Sequence, residues 1–338
     1  MLEHGGQLRR AAQRYGIPLR QWIDLSTGIN PRGWPVAAVP AECWRRLPEA
    51  GDGLEEVARA YYGAPSLLPV PGTQAAIQAL PRLRPRGRVA VLEPGYGEHR
   101  LAWAAAGHDV SGVSAADLRT GVPPVDVLVL TNPNNPTGER FSRTTLLAWR
   151  EELAARGGWL VVDEAFMDAT PQESLAPVNY WPGLVVLRSL GKFFGLAGIR
   201  VGFVLGASRL LRRLEKTLGP WAVAYPSRHV AAAALADTDW QQKTRRTLPA
   251  ASERLAGLLA ASGLAPAGGV ALFQWVQTPR AAQAREFFAR RGILVRAFAD
   301  PPGLRFGLPA AGGPWERLAL ALDEWGCAAA PRLERTAR

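Results

Sequence analysis

Cysteine, lysine and long apolar runs are what this 338-residue sequence has least of. Its two cysteines, Cys43 and Cys327, are too few for a disulfide framework or a zinc cluster, and no metal site is expected. No apolar run reaches the roughly 20 residues that a membrane helix needs. The opening residues, MLEHGGQLRR, are polar and lack the apolar stretch of a secretory leader. A soluble cytoplasmic protein with no membrane partner is the expectation. Only three of the 40 basic residues are lysines, Lys192, Lys216 and Lys243, which leaves 37 arginines. So rare a residue makes each occurrence informative.

An apolar fraction of 48% excludes general disorder. The length suits one large domain or two smaller ones with a proper core. The net charge is +11, but Ala, Gly, Pro and Arg are all abundant, as codon bias in a GC-rich genome would produce. The basic residues are scattered rather than gathered into a stripe or tail, so no nucleic-acid partner is expected. There is no internal repeat and no low-complexity linker.

A short helix is expected over 6–15, then a turn at 16–18 and a loop rich in Gly and Pro over 24–35. From 54 to 205 the pattern alternates. Helical stretches at 54–62, 73–82, 97–106 and 143–156 separate apolar runs at 67–70, 89–92, 126–130, 159–162, 184–187 and 201–205. Such runs read as buried strands of a mostly parallel sheet, in an α/β architecture. Polar clusters follow the runs, where ligands gather at the carboxyl ends of strands. After about 220 the texture changes. Helices are expected over 228–262, 280–291 and 314–325, with strands at 270–276, 293–297 and 304–306, as in a smaller α+β domain. The expected division is 1–45, packing with the small domain; 46–222, the large domain; and 223–338, the small domain.

Three motifs carry chemistry. Lys192 follows a buried strand and is flanked by Phe193 and Phe194. Apolar surroundings disfavour its charged form and make the amine more nucleophilic, which suits Schiff-base formation. A surface lysine whose stem covers apolar neighbours would look the same. Asp163 ends the apolar run of Val161-Val-Asp-Glu-Ala-Phe166. It suits a helix N-cap, or a carboxylate that holds a protonated pyridine nitrogen. Pyridoxal phosphate pairs these two roles, lysine at its aldehyde and acid at its ring. Third is Asn132-Pro-Asn-Asn-Pro-Thr-Gly138, two ordinary turn formers closing after a strand.

Together these motifs resemble the fold-type I pyridoxal-phosphate enzymes of the class I/II aminotransferase superfamily, from about residue 24 to 325. Asn135 to Asp163 is 28 residues and Asp163 to Lys192 is 29. Ser189 and Arg200 flank the lysine at −3 and +8. The resemblance implies a large domain with a mostly parallel seven-stranded sheet, a smaller α+β domain, pyridoxal 5'-phosphate as cofactor, and a homodimer. It implies Lys192 as the Schiff-base lysine and Asp163 as the acid at the ring nitrogen, with His99 supporting Asp163. Asn135 would donate to the ring oxygen, and Tyr96 would stack on the ring. Gly72, Thr73, Gln74, Ser189 and Arg200 would hold the phosphate. Tyr61 or Tyr62 is expected to reach the cofactor phosphate of a neighbouring subunit. Arg305 would clamp the substrate carboxylate. One departure stands out. Many members have tyrosine three residues after the aspartate; here it is Phe166, which cannot donate.

Within the superfamily, His4-Gly5-Gly6, the loop 24–31, and the stretches 161–168 and 189–200 together resemble the threonine-phosphate decarboxylases. That implies release of CO2 from L-threonine O-3-phosphate, giving (R)-1-aminopropan-2-yl phosphate in cobalamin biosynthesis. Arg296 and Arg305 would hold substrate anions, Asn135 would also touch substrate, and His4, Gly5 and the Gly28 backbone would complete the phosphate end. The pattern often has asparagine where Gly28 stands, so a side-chain contact is missing there. Histidinol-phosphate aminotransferase is the alternative, with the same fold and cofactor; Phe166 and the N-terminal His-Gly-Gly argue against it. A non-catalytic domain of a transcription regulator would need a DNA-binding domain ahead of this fold, and only 23 residues precede Asp24.

Overall fold

The computed structural model describes residues 4–329. Residues 1–3 and 330–338, the outer ends of the expected first and third segments, lie outside that range. The strands run in chain order as follows. β1 (Ile23–Asp24) precedes β2 (Leu67–Val70), β3 (Arg88–Leu92), β4 (Asp109–Val113), β5 (Val127–Thr131), β6 (Trp159–Asp163), β7 (Leu184–Ser189) and β8 (Gly202–Gly206). Then come β9 (Gly268–Val270), β10 (Phe273–Gln277), β11 (Ile293–Leu294), β12 (Arg296–Ala299) and β13 (Pro302–Gly307).

By compactness the described chain forms two units, residues 33–248 and residues 4–32 with 249–329. The larger holds a seven-stranded sheet in the order β2-β8-β7-β6-β5-β3-β4. Its strands are parallel except β8, which is antiparallel to both neighbours. Every residue of β5 and β8 is buried, as are nearly all of β6 and β7. Strands covered on both faces need continuous apolar sequence, which is why these runs do not alternate. Val127, Val129, Val161, Val185, Leu187 and Val204 pack with the helix Thr73–Ala79 and Trp103 into one core.

The other unit has an antiparallel sheet, β12-β13-β10-β9, and a parallel pair, β1 with β11. Ala11 and Trp22 pack against Ala289 there.

Most expected elements occur within a residue or two. The differences have local causes. β4 has the sequence DVSGV, mostly exposed at the sheet edge, so it carries no apolar run. The expected strand 270–276 is two strands around the turn at Ala271-Leu272, and 293–297 is broken at Val295. The helical stretch 228–262 is two helices, Tyr225–Ala236 and Thr238–Ala261, because Asp237 leaves helical geometry with φ −81° and ψ 80°. The compact units divide at 32/33 and 248/249, whereas the sequence suggested 45/46 and 222/223. The helix Tyr225–Ala236 accounts for much of that. It packs on the helix Leu54–Tyr62, and its Arg228 bonds Asp52 and Glu55.

Candidate active site

β5, β6 and β7 lie side by side and parallel, and their carboxyl ends present Thr131, Asp163 and Ser189. In a parallel sheet those ends are where loops open and ligands bind. A cavity of about 150 Å³ sits there. It is lined by Phe166 and nine more of the residues singled out in the sequence. Gly72, Thr73 and Gln74 come from the turn after β2, Tyr96 and Asn135 from the loops after β3 and β5, and Asp163, Ser189, Lys192 and Arg200 from the β6 and β7 side.

Asp163 is 3% exposed. Its Oδ2 lies 3.1 Å from Nε2 of the buried His99, and its Oδ1 accepts the Ala165 N–H at 3.0 Å. Both oxygens are thereby oriented, as a buried carboxylate requires. His99 stands on the helix Glu98–Ala105 and its ring is edge-on to Tyr96. The Tyr96 hydroxyl donates to Gln74 Oε1 at 3.1 Å, and the Gln74 amide donates to Glu98 at 2.7 Å. This chain of bonds ties the aromatic side chain to the turn after β2.

The turn itself is shaped by glycine. Gly72 has φ +74°, and a Cβ there would come within 2.5 Å of the Arg200 guanidinium. Arg200 also holds a left-handed backbone, φ 53°, rare outside glycine. The Ser189 hydroxyl accepts the Gly191 N–H at 3.2 Å. A guanidinium, a hydroxyl and a close backbone turn on one cavity wall suit a phosphate. The Lys192 ammonium lies 5.5 Å from the centre of the Phe166 ring, and the neighbouring Phe193 and Phe194 are fully buried. An amine, a buried carboxylate, an aromatic side chain and an anion cradle in one cavity fit pyridoxal phosphate.

Thr131, Ala165, Phe166, Gly191 and Ala197 line the same cavity. Phe166 was noted in the sequence for lacking a donor; the small residues carry no chemical mark that would have singled them out. Tyr61 is not on the cavity wall. Its hydroxyl donates to Asp168 at 3.0 Å and accepts from Arg245 at 2.9 Å. Tyr62 is buried beneath the Arg188 guanidinium, which lies 4.7 Å from its ring centre.

The remaining expected residues belong to the other unit. Arg296 on β12 and Arg305 on β13 are directly opposed in register. Arg305 is buried, and its guanidinium donates to the Ser26 carbonyl at 2.5 Å and lies 5.1 Å from the centre of the Phe273 ring. Gly5 packs so tightly on the Ser26 backbone that a Cβ would collide with it, and the Gly6 N–H donates to Ser26 Oγ at 2.8 Å. Gly28 has φ +62°. His4, Gly5 and Arg296 share the wall of a second cavity, whereas Gly28 and Arg305 do not line it. Among the described residues, no group of three or more His, Cys, Asp or Glu is placed to hold a metal ion.

Residues 52–322 match the family of class I and II aminotransferases, and the chain belongs to that family. Two relatives bear a narrower name. A threonine-phosphate decarboxylase of Pseudomonas aeruginosa is 56% identical over 95% of this chain and 97% of its own. One from Sinorhizobium is 44% identical over 94% and 97%. Among solved structures, histidinol-phosphate aminotransferase from Sinorhizobium meliloti, in complex with pyridoxal-5'-phosphate, superposes with a TM-score of 0.83. It covers 97% of this chain and 96% of that one at 21% identity, which shows the shared fold.

Proposed function

We propose that this chain is a pyridoxal-phosphate-dependent decarboxylase of L-threonine O-3-phosphate, giving CO2 and (R)-1-aminopropan-2-yl phosphate for cobalamin biosynthesis. The observation that carries the reading is the 56% identity, over nearly the whole of both chains, to the Pseudomonas protein of that name. The Sinorhizobium relative at 44% supports the same reading. Phe166, in place of a phenol donor, weighs against the histidinol-phosphate aminotransferase alternative.

When bound, pyridoxal phosphate supplies an aldehyde that captures amines and a ring that accepts an electron pair. The chain's own residues do the rest. Lys192 would anchor the aldehyde and, once displaced by the substrate's amine, would return a proton to the carbon that has lost its carboxylate as CO2. Asp163, oriented by His99, keeps a proton on the ring nitrogen. Asn135 would donate to the ring oxygen and to substrate, and Tyr96 would hold the ring. Arg200, Ser189 and the turn Gly72-Thr73-Gln74 hold the cofactor phosphate. Arg305 takes the substrate carboxylate and Arg296 a second substrate anion. His4, Gly5 and the Gly28 backbone complete the phosphate end.

No helix among the described residues is long and apolar enough to cross a membrane. A cytoplasmic homodimer is part of the proposal, with Tyr61 serving the partner's cofactor phosphate.

The test is incubation of the purified holoenzyme with carboxyl-labelled L-threonine O-3-phosphate. Labelled CO2 released without any keto acid is the expected result. Amino transfer from glutamate to imidazole-acetol phosphate, with no CO2, would replace this reading by the aminotransferase.

A further inference from the structure

Lys192 lies in a tight turn that is held from outside the cavity. The Gly195 N–H donates to the Lys192 carbonyl at 3.1 Å and closes the turn on itself. The Phe194 carbonyl accepts the Trp34 N–H at 2.8 Å. Gly33 comes so close that a Cβ there would stand 3.2 Å from the same carbonyl oxygen. The side chains of the turn are held as well. Trp240 stacks on Phe194, with ring centres 5.5 Å apart and planes at 19°, and meets Phe193 edge-on at 5.5 Å. Both phenylalanines are fully buried.

One carboxylate joins the two holds. Asp237 Oδ2 accepts the Trp34 indole N–H at 2.9 Å, and Asp237 Oδ1 accepts the Trp240 backbone N–H at 3.0 Å. The second bond caps the start of the helix Thr238–Ala261, and a cap needs only that one oxygen. The first bond reaches back to the residue whose own N–H holds Phe194. All of these residues belong with Lys192 to the unit 33–248. Trp34, Asp237 and Trp240 do not line the cavity, so they act on it only through the turn. A lysine that anchors a cofactor, is displaced and then returns a proton must swing its side chain while its backbone stays still. A shift of about 1 Å in such a group can cost about a hundredfold in rate. That precision comes from neighbours whose own rotamers are locked by packing and hydrogen bonds.

We infer that Trp34, Asp237 and Trp240 are positioning residues for Lys192, fixing its backbone so that the amine meets the cofactor at one angle. This role rests on the proposed function of Lys192, not on the identity of the substrate.

The experiment compares holoenzymes. Asp237→Asn keeps the helix cap but puts an amide N–H against the indole; Trp34→Phe removes the indole donor; Trp240→Leu removes the stacked ring and Trp240→Phe restores one. Leu153→Ala is the control. Leu153 is a buried residue of the helix Arg143–Ala155, and its carbonyl accepts the Gly158 N–H just ahead of β6, at the far end of that strand from Asp163. It loosens the same unit without touching the turn. Two quantities are read: kcat and KM from CO2 release, and the midpoint of the pH titration of the bound cofactor's visible absorbance. In Asp237→Asn and Trp240→Leu, kcat is expected to fall about tenfold with KM little changed. The midpoint should move by about half a pH unit or more, because the amine's angle to the ring sets its proton affinity. Trp240→Phe should recover most of both. If the wild type releases no CO2 but the midpoint still moves in the variants, the proposed substrate fails and the positioning role stands. An unmoved midpoint in Asp237→Asn, Trp34→Phe and Trp240→Leu, or equal changes in Leu153→Ala, would overturn the inference.

Discussion

Asp163 meets the cavity with one oxygen on His99 and the other on a backbone N–H. Held in this way, it can keep a ring nitrogen protonated through a catalytic cycle. Asp163→Asn removes the negative charge but keeps the shape. CO2 release is expected to fall by about a hundredfold or more, with the cofactor still bound, as when a positioned acid is lost. Retention of near wild-type kcat would remove Asp163 from the mechanism. Phe166 is the informative departure. Phe166→Tyr restores a donor, and a hydrogen bond to an anionic ring oxygen stabilises that anion. The visible absorbance of the bound cofactor should then change at lower pH than in the wild type, read by spectrophotometric titration. At this scale the charged and aromatic residues were legible in the sequence, His99 among them. Thr131, Ala165, Gly191 and Ala197 were not, because they contribute shape and backbone rather than a recognisable functional group.

The ends of β6 and β7 are joined behind the site by a buried cluster. Arg188, next to Ser189, donates to Glu164 at 2.8 Å and Ser174 at 3.0 Å, and pairs with Asp168. Glu164 follows Asp163 in the chain and also accepts the Leu175 N–H at 2.8 Å. Burial pushes the Glu164 carboxyl up, and the Arg188 ion pair opposes it. Arg188→Met would strand two buried acids. Denaturant unfolding should show a loss of about 3–5 kcal/mol, the usual cost of removing one partner of a buried pair. A loss under about 1 kcal/mol would mean that the remaining hydrogen bonds from Ser174, Leu175 and Tyr61 suffice for the two acids. A second cluster joins helices. Burial raises the Asp52 carboxyl, but hydrogen bonds from Arg228 outweigh that and hold it below its ordinary value. A carboxyl depressed by folding adds stability above its unfolded pKa and loses it as pH falls through the folded one. Arg228→Gln should therefore flatten the acid side of the stability–pH curve, below about pH 4, as measured by melting temperature. Neither cluster was visible in the sequence. Arg188, Glu164 and Asp168 sit among many charged residues, and only strand register brings them together.

For the whole molecule, the family resemblance leads to one expectation. Sedimentation equilibrium of the holoenzyme should give about twice the chain mass of 36.4 kDa. A monomer at micromolar concentration would remove Tyr61 from the cofactor site. The order of strands and helices was readable because buried parallel strands demand unbroken apolar runs and helices show their own period. Lys192, Asp163 and Asn135 were readable because their chemistry is specific and their spacing follows the strand ends. The edge strand β4 was not, since one exposed side removes the pressure for apolar residues. Nor was the division at 32/33 and 248/249, which depends on which helices pack together. The facing of Arg296 and Arg305 was likewise invisible. In a chain with 37 arginines the sequence by itself determined the fold and most of the side chains gathered at the strand ends. Only the tertiary structure decided which arginines act together, because charge neighbourhoods arise from register and packing, not from order along the chain.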